Sequence, residues 1–272
     1  MTQTISSLTG FVNKIRDVQP AEDEVLLYRG HSKREFRLLP LVLREPEYAQ
    51  AEHSMLHELV ASHPAEFASD ITTLDQLARA QHYSLPTRLL DATWNPLVAL
   101  YFAAKEYSAA GEVIVFRVKK DVVRFYDSDT VSCISNLAYL NPDQKQSIDF
   151  ELAQDQFNDQ WPVGQLLHFI GVEKPHFKPA ILPGDLKKVV CVKPKRNTQR
   201  ILVQSGAFLL FGIAGELDTS PADGIAFERI IVNGNHKNTI LRELDVVDIN
   251  ETALFPEIER AAMYIRGKVK PA

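Results

Sequence analysis

Residues 78–106 read ARAQHYSLPTRLLDATWNPLVALYFAAKE. The first half is crowded with hydrogen-bonding side chains: Arg79, Gln81, His82, Thr87, Arg88, Asp91, Thr93 and Asn95. The second half is almost wholly apolar. Asn95 is a good helix N-cap and Pro96 suits the first helical position, so a helix starts there. Leu97, Val98, Leu100, Tyr101 and Phe102 leave it no polar face in its first turns, which predicts burial. A buried helix start presents unpaired N–H groups and a partial positive charge. It needs caps, and it is also a place where an anion is welcome.

Working outward, residues 4–18 place Ile5, Leu8, Phe11, Val12 and Ile15 at helical spacing, with Thr4 or Ser6 as cap. EVLLYRG, 24–30, reads as a buried strand ending in Arg29 and Gly30, followed by a loop over 31–40. Helices are expected over 47–68 and 68–83, the latter capped by Asp70 or Thr72. Residues 84–93, with Pro86 and no period, read as a loop. Strands are expected at 112–118, 187–194 and 225–233, and broken helices over 126–176. Residues 196–212 begin helix-like and end strand-like, and helices close the chain at 236–246 and 256–266. With no repeat and no linker, the simplest account is one α+β domain, a mixed or antiparallel sheet flanked by helices. An N-terminal helix (1–20) then precedes a single domain over 21–270.

The chain has 272 residues, enough for a sizeable core, and a net charge of −5, which argues against a general nucleic-acid binder. Its two cysteines, Cys133 and Cys191, have neither metal-ligand nor disulfide-framework spacing, and read as buried small hydrophobes in a reducing compartment. No stretch reads as a signal peptide or a bilayer span, so a cytoplasmic protein without membrane contact is expected. P-loop, GxGxxG and GxSxG patterns are absent. His53 and His57 lie four apart on a helix, but the HExxH form is missing and a solvated face is the better reading. The basic run around Lys187, Lys188, Lys193, Lys195, Arg196 and Arg200 reads either as a charged sheet edge, which is favoured, or as a guide for a polyanion. Trp94 reads as core, close enough to the polar cluster to stack on a base.

Arg29 and Arg88 each need a partner if buried, and Asp91 is the obvious one. Buried Arg–Asp networks are often structural pins, and that reading stands beside the functional one.

Tyr28-Arg29-Gly30, AQHYSLPTRLLDATWNPLVALYFA and RILVQSGAF (200–208) closely resemble the FRG domain family, named for an F/Y-R-G motif near its start. ALFPEIERAAMYI, 253–265, fits the family's ending, so the resemblance runs from about residue 24 to 266. The sequence departs at Ser84 and Ala92, where the family more often has glycine and tryptophan. The resemblance implies a bacterial or phage protein linked to genome conflict and defence. It points to Arg29, His82, Arg88, Asp91 and Gln204 as one site, with Tyr28, Thr87, Asn95 and Arg200 beside it as ligand contacts.

A weaker similarity to ADP-ribosyltransferases implies NAD as a candidate substrate, with Arg29 on its phosphates. The late glutamate of those enzymes is replaced here by Gln204, unless Glu151 or Asp91 substitutes. Whether the chain is an enzyme therefore stays open. Enzymatic readings use His82 and Asp91 for proton transfer and Gln204 for a sugar. The alternative is a non-catalytic module that senses an anionic ligand or nucleic acid, or that engages a protein partner. No resident cofactor or metal is called for.

Overall fold

The computed structural model describes residues 4–106, 108–196, 198–213, 215, 217, 224–256, 262 and 266. Its centre is a mixed sheet of eight strands: β1 (Thr4–Ile5), β2 (Glu24–His31), β3 (Leu89–Thr93), β4 (Gly111–Lys119), β5 (Val123–Phe125), β6 (Val189–Lys193), β7 (Gly206–Phe211) and β8 (Ile225–Val232). They lie in the order β1-β8-β4-β2-β3-β7-β6-β5. The outermost pairings, β1 with β8 and β5 with β6, are parallel, and the rest are antiparallel. The α+β expectation holds.

The helices that matter for the site are α1 (Leu8–Asp17), α2 (Pro46–Ser62), α3 (Thr73–His82), α4 (Pro96–Ala104), α5 (Asp129–Asn136), α6 (Trp161–Glu173), α7 (Gln199–Val203) and α8 (Lys237–Val246). Strand alternation separates two faces. On one face, side chains from α1, α4 and α8 form a core with Tyr28, Val113, Val115 and Val232. On the same face, α2, α3, α5 and α6 form a second core over Leu89, Val190, Phe208 and Leu210. The opposite face is apolar from Leu27 to Phe211 and is covered in part by Leu38, Leu39 and Leu217. β4 is buried along nearly its whole length because both faces are covered.

Local chemistry explains most boundaries. Asn95 Oδ1 accepts from the Leu97 N–H at 2.9 Å and opens α4, with Pro96 at its first position. Thr72 and Asp75 form a capping box on α3. Ser84, two residues past α3, has φ 68°, the left-handed conformation that favours glycine at a helix end. That accounts for glycine as the more usual residue of the resembling pattern.

Three expectations change, and a fourth falls on residues that are mostly not described. The helix expected over 4–18 is a short strand and then a helix capped by Ser7, because Thr4 and Ile5 pair with Ile231 and Val232. The helix expected over 47–68 breaks at His63, where Pro64 opens a separate turn. The loop expected over 84–93 contains β3, which pairs with β7 along all five of its residues. Its pattern is buried except at Asp91, so it shows no clear alternation. The helix expected over 256–266 falls largely outside the described residues.

α4 lies directly on the backbone of the sheet. A Cβ placed on Gly30 would sit 2.0 Å from the Ala99 carbonyl oxygen and 2.6 Å from the Ala103 nitrogen. One on Gly111 would sit 2.3 Å from the Ala103 oxygen. Ala99 and Ala103, one helical turn apart, are small enough to allow this approach. Gly30→Ala is expected to cost about 1–3 kcal/mol as an overpacked contact. In thermal denaturation its melting temperature should fall by roughly 2–4 °C per kcal/mol lost. Gly164→Ala in α6, where nothing lies within 4 Å, should instead stabilise by somewhat under 1 kcal/mol.

Candidate functional site

β2 and β3 pair only at Tyr28 and Thr93. Beyond that point the strands part, and Arg29 bridges the gap. Its Nη1 donates to the Asp91 carbonyl at 2.5 Å and its Nε donates to His31 Nε2 at 3.0 Å. His31 is buried, and its Nδ1 faces Glu112 Oε1 at 3.2 Å. These partners require the neutral tautomer with the proton on Nδ1. Glu112, also buried, takes a second ion pair from Arg229. The chain Arg229–Glu112–His31–Arg29 thus crosses three strands and fixes the guanidinium in place.

The electrostatics follow from burial. Desolvation lowers the Arg29 pKa to about 10, with Asp91 opposing and Arg44 reinforcing the shift, so the side chain stays cationic at neutral pH. Desolvation lowers His31 to about 4, against the pull of its bond to Glu112 and with repulsion from Arg29 and Arg229.

Three neighbouring hollows that share lining residues surround this point, along the seam between the two helical cores. The middle one, about 150 Å³, is bounded by Tyr28, Arg29, Asp91, Phe102, Arg200 and Gln204. A neighbour of about 100 Å³ reaches His82, Asp70, Arg79, Lys195 and Phe208. The third, about 320 Å³, wraps the end of β2 and adds Phe36, Arg44, Lys105, Glu106 and Phe255. Arg200 borders all three. Its guanidinium carbon stands 5.3 Å over the Phe255 ring, and its Nη1 is 3.4 Å from His82 Nδ1. Asp91 is exposed on a sheet face otherwise covered by helices, because neither core extends over it.

The structure brings Tyr28, Arg29, Asp91, Arg200 and Gln204 together. His82 borders only the smaller hollow and meets the rest through Arg200. Gln204 is half-engaged in holding the walls: its Nε2 donates to the Leu254 carbonyl at 2.9 Å, and its own carbonyl accepts from Thr93 Oγ1 at 2.6 Å. Tyr28 is buried, which raises its hydroxyl pKa. Asn95 caps α4, and the Thr87 hydroxyl bonds Gln81 Oε1 at 2.5 Å. Glu151 borders none of the three hollows.

Arg88 departs furthest from expectation. It is 2% exposed and grips Glu52 of α2, with Nε to Oε1 at 2.9 Å, while Nη1 donates to the Phe211 carbonyl at 2.9 Å. Lys145 Nζ completes the cluster, 2.6 Å from Glu52 Oε2. The expected pairing of Arg88 with Asp91 assumed a loop. In an extended segment three residues span about 10 Å. Burial pushes the Glu52 carboxyl up, but Arg88 and Lys145 outweigh it and hold the pKa below its usual value.

His31, Arg44, Lys105, Glu112 and Arg229 did not emerge from the sequence as site residues. His31 had one signal, its place two residues after Arg29 on the same strand face. Glu112 had another, as an acid at the head of an apolar strand. Cys133 and Cys191 are buried, with thiols pushed up to about 12 by desolvation. His53 and His57 meet as tilted rings 4.6 Å apart between centroids, and His57 packs edge-on to Tyr139. No metal-binding cluster and no helix long and apolar enough to cross a membrane occurs among the described residues.

Residues 24–112 match the family model of the FRG domain. The match begins at the first residue of β2 and ends inside β4, enclosing Arg29, His82, Arg88, Asp91 and Glu112. That segment is what the chain shares with the FRG domain. Arg200 and Gln204 reach the site from beyond the matched segment. No curated protein and no solved structure matches the chain.

Two acid-side transitions should separate. The unfolded His31 takes a proton near its ordinary pKa of 6.5 that the folded one refuses until about 4. Its contribution is therefore complete above pH 6.5 and lost as pH falls toward 4. His31→Gln should flatten the stability profile in that window, measured by denaturant unfolding. Glu52, held below its ordinary pKa of 4.5, contributes above that pH and loses its contribution as pH falls further. Glu52→Gln leaves Arg88 buried without its counter-ion and should cost about 3–5 kcal/mol at neutral pH.

Proposed function

We propose that this protein is a binding module for a phosphate-bearing nucleotide, with Arg29 and Arg200 as the phosphate contacts. One observation carries the reading: Arg29, Arg44, Lys105 and Arg200 converge on one hollow that has a single carboxylate, Glu106, in its wall. Arginine meets phosphate with paired hydrogen bonds, and a guanidinium already held by His31 and a carbonyl loses little freedom on binding. The aromatic rings of Phe36, Phe102 and Phe255 in the same wall supply apolar surface for a base. Each hollow alone is small for a nucleotide, so the ligand extends past Arg200 into the next one. Asp91, the exposed carboxylate at the junction, is placed to accept from sugar hydroxyls.

Binding is favoured over turnover because the candidate acid–base group, His82, and the phosphate anchor, Arg29, border different hollows. Gln204 supplies no charge and spends its amide on Leu254. The resemblance to defence-linked proteins makes a nucleotide signal the natural class of ligand. NAD, ADP-ribose, ATP and inorganic phosphate are the probes of choice in a thermal-shift assay, each mixture checked for products. The expected result is stabilisation by at least one nucleotide without turnover. Arg29→Ala and Arg200→Ala should each weaken it at least tenfold, about 1.4 kcal/mol or more. A response to every anion alike, or one unchanged in both variants, would sink the reading. Product formation would move the protein to the enzymes.

A further inference from the structure

The run KKVVCVKPKRNTQR, 187–200, holds six cations and no acid in a chain of net charge −5. The sequence favours a charged edge as the reason. In the fold its strand, β6, lies inside the sheet, with β7 on one side and β5 on the other. Edge protection therefore does not explain Lys193, which pairs in register with Phe125 of the true edge strand. Lys193 Nζ stands 5.4 Å from the Trp94 ring centroid and 5.6 Å from that of Phe125. Phe125 is 62% exposed, although an edge strand is where bare apolar surface is most hazardous. Next along the chain, Lys195 lies 4.8 Å over Tyr126 and is neutralised by Asp75 at 2.9 Å. Lys193 and Arg196 have no carboxylate partner among the described residues. Pro194, Lys195, Thr198 and Arg200 then line the smaller hollow, so the run leads from the sheet edge to the groove.

We propose that the surface of Trp94, Phe125 and Lys193, with the exposed Arg196 three residues further along the chain, binds single-stranded nucleic acid. Bases stack on Phe125 and on the free part of Trp94, while Lys193 and Arg196 meet the phosphates. Exposed rings interleaved with cations suit unpaired bases, whose faces are open, whereas a duplex hides those faces and offers only its phosphates. The absence of acids along the run supplies the local charge complementarity that the whole chain lacks. Arg29 takes no part, so this site stands apart from the nucleotide pocket.

The test is fluorescence anisotropy of the full chain with short labelled oligo(dT), oligo(U) and a duplex of equal length, over a range of salt. Oligo(dT) and oligo(U) separate a DNA from an RNA preference. A single strand should bind more tightly than the duplex. Phe125→Ala should weaken single-strand binding about tenfold, within the range for loss of one stacked base. The pair Lys193→Ala and Arg196→Ala should lower the slope of log affinity on log salt by about 1.4, at about 0.7 per phosphate. Phe125 is the chosen ring because Trp94 also packs on the core, so its loss would test folding. The proposal is overturned if neither oligonucleotide binds, if the duplex binds equally well, or if Phe125→Ala leaves the affinity unchanged.

Discussion

The structure depends on one close approach, the backbone of α4 resting on the bare backbone of β2 and β4 at Gly30 and Gly111. A helix can come that near a sheet only where side chains are missing on one partner and small on the other. Here glycine in the sheet meets Ala99 and Ala103 in the helix. The contact fixes where α4 begins, and so where Asn95 and Thr93 stand. Thr93 Oγ1 both accepts from the Asn95 N–H and donates to the Gln204 carbonyl, tying the start of α4 to the segment that leads into β7. The same glycine follows Arg29 directly, so the packing constraint and the candidate ligand contact are neighbours in the chain.

A second consequence is the seam. The helices cover one face of the sheet in two groups, one over β2, β4 and β8 and the other over β3, β6 and β7. Where the groups meet, β2 and β3 lose their pairing after a single register position. The freed backbone carbonyl of Asp91 is satisfied by Arg29 instead of by a strand. A partly buried cation is costly unless it is hydrogen-bonded, and His31 with Glu112 and Arg229 supplies the remaining structure behind it. The other buried cluster, Arg88–Glu52–Lys145, lies beneath α2 and clamps that helix to the strand layer. Two arginines that look alike in the sequence thus have different work. One faces a groove, and the other is sealed in the core.

The difference shows why the candidate site was only partly legible. Tyr28-Arg29-Gly30 and Asn95-Pro96 carry local rules, since strand ends, caps and proline positions depend on a few adjacent residues. Those readings matched the structure. Arg88 and Asp91 were read as neighbours because three residues separate them, yet separation along a chain becomes distance only when the local conformation is known. Strand β3 is nearly all buried, so it had no alternation to reveal it, and the loop reading made the pairing look natural. Glu52 lies 36 residues from Arg88, Lys145 93 from Glu52, Glu112 81 from His31 and Arg229 117 from Glu112. No local pattern encodes such a partner.

By itself, the sequence determined the α+β class, the capped buried helix at 96, the strand that delivers Arg29, and the resemblance that the family match over 24–112 bears out. These rest on periodicity, capping and motif, which are properties of short stretches. Only the tertiary structure decided which arginine is open and which is buried, that β6 is an interior strand, and that Arg200 joins three hollows. Those outcomes depend on which strands become neighbours in the sheet. That order is set by the packing of the whole core, in which α4 must find backbone without side chains and every buried charge must find its counter-ion.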